Sequence, residues 1–240
     1  MLESYCICEK GNFRAVNQDS AGTFLWEDKG MFVVADGMGG HYGGDQASRV
    51  VLDELTEWWD RCLKTNGLPV FQEGVQQLRQ VLAYCHNRIS TLAPQGQICG
   101  TTVVLLLVHG REYAVFSAGD SRGYMISKRG PFVGKLIQLT HDDVVGPNGP
   151  GGSANAGKLL RAIGAGSECL VTLKTGHIPP HTVFALCTDG VHKYCPQNDI
   201  ATTLKKALRG VALPAVGETI TALTEAHGTR DNYSLVLVRC

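Results

Sequence analysis

The sequence predicts an α+β protein in which antiparallel β-sheets are covered by helices. Two observations carry this. Short β-branched runs follow one another through turns too brief to hold a crossover helix. The helical patterns fall in two blocks and do not alternate with single strands, which argues against a parallel βαβ sheet.

In chain order, strands are expected at residues 4–8 and 31–35, the latter reading MFVVA. Two helices follow. From Gly44, the residues Ala47, Val51, Leu55, Trp58 and Cys62 recur at helical spacing, and Phe71, Val75, Leu78, Leu82, Cys85, Ile89 and Leu92 form a second apolar stripe. Such stripes pack a core. Residues 102–108 and 112–117 flank His109-Gly110-Arg111, a hairpin signal. Further strands are expected at 122–127, 136–140, 170–175, 183–188 and 233–239, with short helices at 199–208 and 214–227. Residues 143–157 hold Gly146, Pro147, Gly149, Pro150, Gly151, Gly152 and Gly157 and cannot form regular structure. A loop of this length inside a compact domain reads as a functional lid or a disordered segment, and a flap is expected at about 143–160. With no repeat and no linker, residues 1–240 read as one domain.

Composition narrows the function. Hydrophobic residues make up 44% of 240 and charged residues 18%, enough to fill a core and too apolar for a disordered chain. Lys and Arg number 22 against 22 Asp and Glu, with no basic run, so nucleic acid is not an expected partner. The nine cysteines lack a C-x-x-C pair and read as reduced, buried thiols. The N-terminus lacks a signal-peptide pattern, and the longest apolar run, 103–108, is too short to span a bilayer. The expectation is a cytoplasmic monomer with no membrane span.

Aspartates recur where apolar strands end: Asp36 before Gly37, Asp120 after Gly119, Asp189 before Gly190, Asp231 before the last strand, and Asp19 closing Asn17-Gln18-Asp19. Each alone reads as a turn residue. Together they are the oxygen donors that hard divalent cations such as Mg²⁺ and Mn²⁺ require. Arg14, three residues before Asn17, offers a planar fork suited to phosphate oxygens.

In order along the chain stand Arg14-Ala15-Val16-Asn17-Gln18-Asp19, Asp36-Gly37-Met38-Gly39-Gly40-His41, Gly100-Thr101-Thr102, Ala118-Gly119-Asp120-Ser121-Arg122, Thr188-Asp189-Gly190 and Asp231-Asn232. This ordered set resembles the bacterial PP2C, or PPM, family of metal-dependent protein serine/threonine phosphatases, and it covers nearly the whole chain. The resemblance implies two antiparallel sheets packed as a sandwich with helices on both outer faces. It implies that Asp36 bridges two metal ions with the Gly37 carbonyl on one of them. Asp189 and Asp231 hold the other, and Asp19 orients water. Arg14 holds the substrate phosphate, Asp120 binds a third and weaker ion, and Asn232 and His41 support the site. The implied reaction is hydrolysis of phosphoserine or phosphothreonine by a metal-bridged hydroxide, with no covalent intermediate. The cofactor is Mn²⁺ or Mg²⁺, and the partners are phosphoproteins and a cognate serine/threonine kinase. A phosphoprotein-binding pseudophosphatase and a two-metal nuclease are the alternatives. The chain departs from the family pattern at Met38, at Leu139-Thr140-His141-Asp142-Asp143 and at Asp189-Gly190-Val191-His192-Lys193, where two basic groups enter.

Overall fold

The computed structural model describes residues 2–39, 43–65, 67–92, 97–130, 132–146 and 157–240. These form two six-stranded antiparallel sheets. The first contains β1 (Glu3–Glu9), β12 (Tyr233–Arg239), β11 (Thr182–Cys187), β7 (Arg122–Arg129) and β8 (Phe132–Val133) in that spatial order, with β9 (Ile137–Gln138) also on β7. The second runs β10 (Thr172–His177), β6 (Glu112–Ala118), β5 (Val103–His109), β3 (Lys29–Met38), β2 (Asp19–Trp26), with β4 (Gly100–Thr101) also on β3.

The expected sandwich is present, and its strand sequences explain it. An antiparallel sheet with one wet face alternates apolar and polar residues, but β3 and β5 are continuous apolar runs because both of their faces are covered. In β3, Met31 and Val33 face helices α1 (Gly44–Thr65) and α2 (Phe71–Ile89), while Phe32 and Val34 face the other sheet. In β5, Val103, Leu105 and Leu107 face the helices and Val104, Leu106 and Val108 the sheet. The first sheet buries Ile126, Val183, Ala185, Leu235 and Leu237 under α4 (Gln197–Ala207) and α5 (Leu213–Ala226), and turns Phe184, Leu186, Val236 and Val238 to the inter-sheet core. The layers are therefore helix, sheet, sheet, helix. Among the described residues no helix is long and apolar enough to cross a membrane. All nine cysteines are free.

The structure departs from the sequence expectation in several places, among them the short strands β4 and β8, which were not expected, and α2, which ends at Ile89 short of Leu92. β2 forms where no strand was expected; at the sheet edge, it runs from small and polar residues at 19–23 to Phe24, Leu25 and Trp26. Of 136–140 only Ile137–Gln138 joins a ladder, because Thr140 turns its hydroxyl to the Gly123 amide instead. β10 lies two residues later than 170–175 and ends at His177. A single helical turn, α3 (Asp189–His192), follows β11 directly.

Of the flap expected at about 143–160, residues 147–156 lie outside the described residues. Its two ends pair with each other: Val145 donates to the Lys158 carbonyl and Gly157 to the Val145 carbonyl, and Val144 bridges Leu159.

Candidate active site

The two sheets bring their acidic strand ends to one rim. Asp19 opens β2 and Asp36 stands opposite it on β3 in the antiparallel register. Like charges facing each other across a ladder repel, so something must hold them. For Asp19 it is hydroxyls from the other sheet: Thr188 donates to Oδ2 at 2.8 Å and Ser234 to the same oxygen at 2.7 Å. Thr188 and Ser234 are themselves cross-linked, Ser234 N to Thr188 Oγ1 at 2.9 Å and Thr188 N to the Ser234 carbonyl at 3.1 Å. Asp36 is fixed through its backbone, its amide donating to Thr102 Oγ1 at 3.0 Å and its carbonyl accepting from Thr102 N at 2.8 Å.

The electrostatics are those of crowded buried carboxylates. Burial, foremost, pushes the Asp19 carboxyl up to about 7, with Asp189 and Asp231 adding to the rise and the two hydroxyls opposing it. Burial also carries Asp36 well above the usual carboxylate range, followed by the charge of Asp19 and then of Asp189, with which it shares a hydrogen bond.

Both Asp-Gly pairs use glycine for close approach. A Cβ on Gly37 would lie 1.8 Å from the Gly44 carbonyl oxygen, and one on Gly190 1.9 Å from that of Asn232. Any side chain at either position would push the aspartate before it off the rim.

The remaining two carboxylates face cations of the chain. Arg14 Nε and Nη2 each lie 2.8 Å from one oxygen of Asp231, a bidentate pair. Lys193 Nζ lies 2.6 Å from Asp189 Oδ2 and 3.0 Å from Asp120 Oδ2. His192 Nε2 meets the Asp120 carbonyl at 2.9 Å. Asn232, buried, ties the Arg14 loop to the last strand: its Nδ2 donates to the Lys10 and Val16 carbonyls and its Oδ1 accepts from the Gln18 amide.

Among the described residues no three carboxylate, imidazole or thiol side chains converge into a ready-made cation cage. The donor set still fits hard divalent cations. It is all oxygen, it is too acidic to be at ease at neutral pH without positive charge, and the positive charge nearest Asp231 and Asp189 comes from flexible, solvent-reaching side chains.

Sequence reasoning named Arg14, Asp19, Asp36, Gly37, Asp189, Asp231 and Asn232, and the structure gathers all of them at this rim. Asp120 joins them through Lys193. His41 lies outside the described residues. Thr188 and Ser234 were missed as Asp19 partners, and no local signal marks them. The contact of Lys193 was missed too, though its spacing of four from Asp189 is the helical pairing distance.

The family profile described as protein phosphatase 2C matches residues 13–225. The serine/threonine phosphatase Stp of Listeria welshimeri serovar 6b is 28% identical over 96% of this chain and 92% of its own. The serine/threonine phosphatase Stp1 of Staphylococcus aureus superposes with a TM-score of 0.82 at 23% identity, over 100% of this chain and 95% of that one. The catalytic domain of the serine/threonine protein phosphatase PstP, in complex with two manganese ions, superposes at 0.73 with 24% identity, over 99% and 97%. With more than half of its length matched by the profile, this chain belongs to the protein phosphatase 2C family.

Proposed function

We propose that this chain is a metal-dependent protein serine/threonine phosphatase, acting on phosphoserine and phosphothreonine in proteins. The observation that carries the reading is the meeting of Asp19, Asp36, Asp189 and Asp231, from strand ends of both sheets, with a bidentate arginine beside them.

In this reading Asp36, the Gly37 carbonyl, Asp189 and Asp231 hold two divalent ions, Mn²⁺ or Mg²⁺, with a third and weaker place at Asp120 and Asp189. When bound, these ions supply Lewis acidity and lower the pKa of the attacking water. The chain does the rest. Arg14, more than half exposed, swings its guanidinium from Asp231 to the substrate phosphate, whose oxygens match the same fork. Asp19, locked by two hydroxyls on one oxygen, accepts a hydrogen bond from the attacking water and aligns it with phosphorus. Asn232 keeps the Arg14 loop in register, and His41 supports the rim. A groove beside Asp19, lined by Asn17, Asp45 and Arg49, gives room for the peptide around the phosphorylated residue. The phosphorylated proteins would come from a cognate serine/threonine kinase. The chain would work as a cytoplasmic monomer, with residues 1–240 as one catalytic domain and the segment at about 143–160 as a flap used in substrate access.

The test is hydrolysis of a phosphothreonine peptide. Activity is expected to vanish in EDTA and return with Mn²⁺ or Mg²⁺. Full activity in chelator overturns the metal-dependent reading, and a folded protein without turnover at any metal concentration replaces it with the pseudophosphatase.

A further inference from the structure

Two side chains in succession, His192 and Lys193, turn toward the same residue, Asp120. The cause is α3. β11 ends at Cys187 and the chain enters a helical turn at once, with Lys193 N bonded to the Asp189 carbonyl at 3.0 Å. That places Lys193 one turn beyond Asp189, on the same side of the helix and in the favourable order of acid before base. Its ammonium therefore reaches back to Asp189 Oδ2 at 2.6 Å and across to Asp120 Oδ2 at 3.0 Å. The two carboxylates are sheltered, their side chains 16% and 8% exposed, while the lysine stem is half exposed and free to leave. An ammonium is a compact point charge with three donors, and two of them are satisfied by these oxygens.

We propose that Lys193 is a tethered cation built into the third metal position. It sits on the Asp120–Asp189 pair, supplies positive charge there without an added ion, and has to be displaced before a third divalent cation binds. The inference rests on the two-metal reading above and adds to it a reason for the weakness of the third site. Only the fraction of molecules with Lys193 withdrawn is competent to bind, so a lysine paired nine-tenths of the time weakens that site about tenfold. His192, held by the Asp120 carbonyl, keeps α3 against the loop and so keeps the tether short.

The experiment is Mn²⁺ titration of the full chain, followed by the signal of free Mn²⁺ in electron paramagnetic resonance. Wild type is compared with Lys193→Met, Lys193→Arg and Lys193→Met/Asp120→Asn, with circular dichroism melts as the check on folding. Wild type is expected to take up two equivalents tightly and a third only weakly. Lys193→Met is expected to bind the third at least about tenfold more tightly. Lys193→Arg, which keeps the charge, should resemble wild type, and the double variant should lose the third equivalent again. Superposable isotherms for wild type and Lys193→Met overturn the tethered-cation role and leave the two-metal reading standing. A third equivalent that survives in the double variant also overturns it, because the ion is then not at Asp120. Failure of folded wild type to bind Mn²⁺ overturns the two-metal reading and this inference with it.

Discussion

The two sheets hold their acidic residues in different ways. On the β2–β3 side, Asp19 is gripped by short hydroxyl side chains at its buried position, and Asp36 is fixed by backbone bonds to Thr102. On the β11–β12 side, Asp189 and Asp231 are met by the tips of long cationic side chains that reach solvent. The first arrangement cannot rearrange without moving strands, while the second exchanges partners by rotating a side chain. The difference teaches how a rim of four carboxylates can be rigid on one side and exchangeable on the other, as the proposed binding of ions and phosphate would require. In the proposed reading, one half would set the geometry, and the other would stay neutralised until a ligand took the place of Arg14 or Lys193.

Breaking the rigid half should cost most. Asp36→Asn is expected to lower turnover of a phosphothreonine peptide by roughly 10³-fold, at the upper end of what loss of one preorganised charge-stabilising group removes. The same change should leave the metal-free fold intact, since it deletes a carboxyl that burial already disfavours as an anion. Steady-state kinetics with a melt in EDTA checks both, and wild-type turnover would remove Asp36 from the centre.

The next largest effect is on stability and uses no variant. Burial and the neighbouring carboxylates carry the Asp19 carboxyl to about 7 in the folded protein, against roughly 3.9 for an ordinary aspartate. Between those values the folded state holds a proton that the unfolded chain has released. The stabilising contribution is complete below the unfolded value and is lost as pH rises through the folded one. In EDTA the Tm should therefore be higher at pH 5 than at pH 7.5, and added Mn²⁺ should flatten or reverse the trend. A metal-free Tm that climbs over this range would mean that Asp19 is not crowded in the way described.

The exchangeable half should yield smaller numbers. Arg14→Ala is expected to reduce kcat/KM by about 10- to 100-fold, the equivalent of about 1.5–3 kcal/mol for hydrogen bonds to a charged group. Arg14→Lys should recover part of it, because lysine lacks the fork. Unchanged kinetics would leave Arg14 as a partner of Asp231 and nothing more. Last, Ser234→Ala withdraws one of the two hydroxyls on Asp19 and should lower stability by about 1–2 kcal/mol, read from urea denaturation in EDTA. A shift below the error of that measurement would assign the fixing of Asp19 to Thr188.

Much of this was legible before the fold was known, for reasons that differ by region. Buried strands such as β3 and β5 announce themselves because both faces are covered and residues 31–35 and 103–108 are apolar without a break. The aspartates stood out because they end such strands. β2 was not legible. Its first residue is a site carboxylate, and Gly22 in its middle lies where a Cβ would come within 2.7 Å of Leu52, so packing against α1 selects small residues over a β-branched pattern. The hydroxyl pair on Asp19 was invisible for another reason. Thr188 and Ser234 lie 169 and 215 residues from their partner, and only the sandwich brings them there. Lys193 was noticed as an intruding base, but its contact depends on α3, a helix too short to leave a periodic pattern.

The position of β12 sets a schedule. Among the described strands it is made last, yet it lies between β1, the first, and β11, and β1 has no other described neighbour in its sheet. Asp231, Asn232 and Ser234 arrive with it. During synthesis, β2 and β3 can pair early, but Arg14 has no Asp231 to rest on and Asp19 lacks half of its hydroxyls until residues 231–234 emerge from the ribosome. In the proposed reading, a chain that stops before Asp231 lacks the partner of Arg14, the Asn232 tie and one of the two hydroxyls on Asp19, so termination there would remove the centre outright rather than weaken it.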